Sequence, residues 1–196
     1  MHGFWTMLYF SLETLTSLGF GDVLARPAWL RILTTFEALV GFALITASIS
    51  SIVLIYPALS RMRTLARRTA ILVSAARKLN QKVVSNDAER LLGELALDVI
   101  RVRVDFIHFP IIYYFHSDHR RASLACALPD LAQFAQLGSE PSGAERVRLA
   151  SAMLGAALDD LARILAKRFI RADSSDPAAI FRAYAEHHVA ASLLED

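Results

Sequence analysis

The chain is 196 residues long, room for one or two domains, and carries a formal net charge of +2. Its hydrophobic content of 55% is high for a soluble protein, and Glu13, Asp22, Arg26, Arg31 and Glu37 are the only acids and strong bases in residues 1–60. That asymmetry marks a membrane part followed by a soluble part, while the lone Cys126 excludes an intrachain disulfide and allows a reducing, cytoplasmic setting.

A first helix is predicted over 4–17, where Trp5, Met7, Leu8, Tyr9, Leu12 and Leu15 recur without Gly or Pro. With about three turns it is too short to cross a bilayer alone. The run Thr16-Ser17-Leu18-Gly19-Phe20-Gly21-Asp22 comes next. Glycine reaches positive φ without a Cβ penalty, so alternating Gly with other residues can keep successive carbonyls on one side. Rings of such carbonyls from several chains can replace the hydration shell of a monovalent cation. The plainer alternative is a turn between two buried helices.

A second helix is predicted over 28–57. From Ile32 to Tyr56 the only charge is Glu37. At about 1.5 Å per residue this run exceeds the hydrocarbon core of about 30 Å, so it is a transmembrane span. A short helix, a Gly-rich loop and a full span make a re-entrant plan. Irregular backbone at membrane depth is tolerated only where protein or a water-filled cavity covers it.

In this order and spacing, residues Trp5 to about Tyr56 resemble the pore domain of potassium channels of the bacterial two-transmembrane-helix and two-pore-domain-like kind. The usual filter of that family reads Thr-Val-Gly-Tyr-Gly-Asp. The resemblance implies an ion channel rather than an enzyme, a selectivity filter over Thr16–Asp22, and a homotetramer around one axis in the cell (inner) membrane. It implies K⁺ bound by the backbone carbonyls of Ser17, Leu18, Gly19 and Phe20, with no cofactor beyond the permeant ion. It assigns Glu13 and Asp22 to a proton-sharing pair behind the filter and Trp29 to the mouth of the inner helix. Gly41 falls at the family's hinge glycine, and Glu37 with Gly41 matches a Glu-x-x-x-Gly pair of small bacterial channels.

Three residues depart from the pattern. Ser17 keeps a hydroxyl but loses a methyl, Leu18 replaces Val, and Phe20 lacks the phenol of Tyr, so packing falls to Tyr9 or Trp5. These changes bear on how strictly K⁺ is preferred over Na⁺. For Gly41, close helix packing competes with a gating bend. Glu37 is either a buried acid satisfied by hydroxyls or a contact with the pore helix. No outer helix precedes residue 4, so the expectation is a subunit lacking its N-terminal part. Two alternatives stay open: a non-conducting or modulatory truncated subunit, and a membrane-anchored helical module.

Arg61, Arg63, Arg67, Arg68, Arg77, Lys78 and Lys82 follow the span with no acid before Asp87. This excess places residues 61–196 on the cytoplasmic side and sets a domain boundary at residue 60. Nucleic-acid binding is the rival reading of the cluster, but its juxtamembrane position already explains it. The remainder reads as helical, making the whole chain all-α. Leu91, Leu95, Val99, Val102 and Phe106 form one stripe with Asp87 as a candidate cap and Pro110 as its break. A helix over 122–137 closes at Gly138. The capping box Ser142–Glu145 opens a run through Leu154, Leu158, Leu161 and Leu165, and Asp176-Pro177 starts a last helix with Ile180, Phe181, Tyr184, Val189 and Leu193. His116, Asp118 and His119, near His108, invite a metal reading, as do His187 and His188, yet a solvated loop is the better reading. No small-molecule ligand is identifiable.

Overall fold

The computed structural model describes residues 2–79, 87–115, 123–137, 144–170 and 176–192, and every regular element among them is helical. The chain divides into two compact units, Met1–Leu54 and Ile55–Asp196.

In the first unit, α1 (His2–Leu15) is followed by the Gly-rich loop and by the start of α2 (Ala28–Leu79). α1 ends in a Schellman motif: Leu18 N–H donates to Glu13 O at 3.1 Å and Ser17 N–H to Thr14 O at 3.1 Å. That closure needs a left-handed residue at Ser17, whose φ is 57°. The apolar side chains of the span lie bare, with Phe36, Phe42 and Ile52 more than 60% exposed. A surface of that kind requires lipid or another protein to cover it. Within it Thr46 donates to Phe42 O, Ser48 to Leu44 O and Ser51 to Ala47 O, as a low-dielectric setting favours.

The second helix does not stop at residue 57. α2 runs for 52 residues, continuing through Pro57 to Leu79. Residues 58–79 contain no Gly or Pro and are rich in Ala, Leu and Arg, so nothing ends the helix. Pro57 has no N–H for the carbonyl of Val53, which leaves one open acceptor inside the helix.

The second unit is built on that continuation. Ala58, Met62, Leu65 and Thr69, at helical steps, enter its core. α3 (Ala88–His108) contributes Leu92, Leu95, Val99, Val102 and Phe106, and packs most extensively against α5 (Glu145–Leu165) through Leu154, Leu158, Leu161 and Leu165. Ion pairs fix α2 antiparallel to α3: Arg61 binds Asp105 through two bonds of 2.7 and 2.8 Å, while Arg68 binds Asp98 at 2.8 Å and also Glu94. α3 ends at His108 and a 3-10 turn begins at Pro110, as the Pro break requires. α4 (Leu124–Leu137) and α6 (Pro177–Ser192) complete the unit. Asp176 caps α6, accepting the Ala178 N–H at 3.1 Å, whereas Asp87 sits at the start of α3 without a side-chain bond. Lys82, His116, Asp118, His119, Gly138, Ser142 and Leu193, named above, lie outside the described residues, as does the side chain of Val189.

Candidate functional site

Among the described residues, positive φ occurs at three positions: Ser17 (57°), Gly19 (56°) and Gly21 (79°). Leu18 and Phe20 stand between them with the ordinary sign. The backbone from 17 to 21 therefore alternates in handedness at every residue. An L-Cβ at Gly19 would meet no atom within 4 Å, so what glycine supplies there is conformation rather than space.

Glu13 holds this loop at both ends. Its carbonyl accepts Leu18 N–H, and its carboxylate Oε1 accepts Gly21 N–H at 3.1 Å. The side chain is 7% exposed, and Oε2 is buried without a hydrogen-bond partner. Asp22 lies near the Tyr9 phenol. Glu13 and Asp22 thus both lie close to Tyr9. Thr16 donates to Leu12 O at 2.7 Å. Behind the loop lies a cleft of about 620 Å³ lined by Glu13, Thr14, Ser17, Gly21, Arg31 and Thr34. Arg31 Nε donates to Ala25 O at 2.9 Å and so steadies the chain between the loop and α2.

Two contacts bind α1 to α2. The Ser11 hydroxyl donates to Glu37 Oε1 at 2.5 Å. Glu37 is therefore both an acid satisfied by a hydroxyl and a contact with the preceding helix. At Gly41 the helices touch backbone to backbone, because a Cβ there would fall 2.0 Å from the Leu15 carbonyl oxygen. This contact accounts for a glycine at 41 by close approach. Leu18, Phe20 and Trp29 are each more than 60% exposed, and Trp5 meets Phe4 edge-on.

Sequence reasoning missed the anchoring of Gly21 by Glu13. The Glu13 signal was available, since an acid in the last turn of a short helix is misplaced for the helix dipole unless it caps something. No group of three or more His, Cys, Asp or Glu suited to a metal ion occurs among the described residues, and His187 instead meets the Tyr113 hydroxyl at 3.1 Å.

Residues 2–56 match the family model described as "Ion channel". No curated protein and no solved structure matches the chain. The match supports an ion-channel family for this segment, and α2 is long and apolar enough to cross a membrane.

Proposed function

We propose that this chain is a subunit of a K⁺-selective channel in which four copies bring their Ser17–Gly21 loops around one axis. The alternation of φ at Ser17, Gly19 and Gly21 carries this reading. Such a backbone can turn successive carbonyls the same way, and the carbonyls of Ser17, Leu18, Gly19 and Phe20 then replace the water around a dehydrated cation. In this reading Ile45, Ile49 and Ile52 line the cavity on the inner side, and the segment after the span lies in the cytoplasm by its basic excess. Glu13 Oε2 is the atom through which a shared proton or a water would join Asp22.

The test is ion flux through the protein reconstituted in a bilayer under a K⁺/Na⁺ gradient. The reading expects a reversal potential near the K⁺ equilibrium value and loss of current in Gly19→Ala, whose φ of 56° costs an L residue roughly 1–2 kcal/mol per subunit. Reversal near zero sinks strict selectivity. A mutant with unaltered current sinks the filter assignment.

A further inference from the structure

The second unit carries an apolar edge at the level where the membrane span stops. Arg61 on Asp105 and Arg68 on Asp98 fix α2 and α3 antiparallel in one register. Arg61 lies five residues beyond Tyr56, where the apolar run of α2 ends, and Pro110 lies five residues beyond Asp105. Counting back along one helix and forward along the other brings the 3-10 turn Pro110–Tyr114 level with Tyr56. Ile55 agrees with this register, because it packs partly buried against the core of the second unit.

The turn presents its side chains in two directions. Ile112 and Tyr113 are buried in the core. Tyr113 is locked there, its ring stacked on Phe169 at 4.4 Å and its hydroxyl 3.1 Å from His187 Nδ1. Side chains three apart eclipse in a 3-10 helix, so Ile111 and Tyr114 share the outer edge. They are 51 and 68% exposed, and Phe115 beside them is 43% exposed, too much apolar surface in one short turn to be left to water. From Phe109 to Phe115 the chain has no charged or amide side chain. Seven residues are too few to span a bilayer. At its boundary, however, hydrocarbon can cover Ile111 and Phe115 while the Tyr114 hydroxyl stays among the headgroups. The other exposed apolar side chains of the unit lack this placement. Arg103 on Asp160 and Arg168 on the Ile107 carbonyl set α5 parallel to α3, so Leu149 lies at the end far from the turn.

We propose that Ile111, Tyr114 and Phe115 insert into the interfacial layer of the bilayer and dock the second unit against it. The contact is burial of apolar surface and requires no particular headgroup. It rests on α2 crossing a bilayer and not on which ion, if any, the first unit conducts.

The test is spin-label accessibility in the full chain, held in nanodiscs of phosphatidylcholine. On a Cys126→Ser background, nitroxides are attached singly at Ile111→Cys, Tyr114→Cys, Leu149→Cys and Phe42→Cys. All four positions are exposed, so the labels displace no core side chain. Oxygen concentrates in lipid and a nickel chelate in water, so the ratio of their collision rates reads depth. Labels at 111 and 114 are expected to favour oxygen, at a depth shallower than 42, while 149 favours nickel. Replacing part of the phosphatidylcholine by phosphatidylglycerol should leave those depths unchanged. Labels at 111 and 114 as open to nickel as 149, with 42 in lipid, overturn the proposal. Poor access of both reagents at 111 and 114 also overturns it, because a second copy or another segment then covers the turn. A label at 42 in water overturns the span, and the proposal with it. Since the readout is depth, absence of K⁺ current leaves every outcome untouched.

Discussion

At the scale of single residues, the first unit depends on positions where one atom too many is fatal. Gly41 is the sharpest. A methyl group placed 2.0 Å from the Leu15 carbonyl must push the two backbones apart, and overpacking of this kind costs about 1–3 kcal/mol. Gly41→Ala is expected to lower the thermal midpoint of the reconstituted protein. An unchanged midpoint would mean that the approach of α1 to α2 is not held as described. Asp130 on α4 makes a separate prediction. Burial raises its carboxyl above the usual range, and Arg77 only partly opposes this. A raised carboxyl favours the protonated fold, so the penalty is absent in acid and grows as pH rises through and above the ordinary carboxylate range. Asp130→Asn should therefore melt higher than wild type at neutral pH, with the gap closing in acid. Glu94 runs the other way, held low by Arg90 and Arg68, so its contribution is present at neutral pH and lost as pH falls below the usual range. Comparing variant with parent isolates Asp130, and a gap that ignores pH would refute its assignment.

At the scale of elements, what could be read in advance and what could not divide along physical lines. The stripe Leu95, Val99, Val102 and Phe106 was legible because helical spacing reports a buried face directly. The glycines of the loop were legible because few residues tolerate positive φ. Ser17 was not, because its left-handed state follows from how α1 closes, a matter of backbone bonds rather than side-chain type. The continuation of α2 was hidden by charge: the change in composition after residue 60 looked like a boundary, yet helix propensity does not change there. In sequence the basic cluster reads as one juxtamembrane block. In the fold Arg61 and Arg68 serve α3, across 44 and up to 30 residues of sequence, and only an antiparallel register reveals that. Asp105 is 5% exposed while Arg61 stays half in solvent, so Arg61→Ala strands a buried carboxylate at a cost of about 1–3 kcal/mol. The double variant Arg61→Met/Asp105→Leu should recover most of the loss, since apolar replacement of a whole pair is often neutral. Thermal melts of the three proteins decide it, and a double variant as unstable as the single would show that the pair does more than neutralise itself.

At the scale of the whole molecule, the family match ends at residue 56 and the contact boundary falls between Leu54 and Ile55, while the helix passes both without a break. The second unit takes the first residues of its core, Ala58, Leu59 and Met62, from the middle of that same helix. A fragment cut at residue 60, where composition changes, would lose two of these and expose what they cover. We expect residues 55–196 to give a cooperative melt and residues 61–196 to give a lower and broader one, by roughly 1–3 kcal/mol for the small side chains removed. Identical melts would mean that the α2 segment rests on the unit without stabilising it.

The loop between α1 and α2 also says something about mirror images. Its backbone changes hand at each step, so residues 17, 19 and 21 occupy the conformation natural to a D-amino acid. Ribosomal synthesis offers only L residues and one achiral substitute. Glycine at 19 and 21 is that substitute, and Ser17 is an L residue standing in a D slot, kept there by the two bonds that close α1. Where space is open, as at Gly19, chirality alone disfavours the other amino acids.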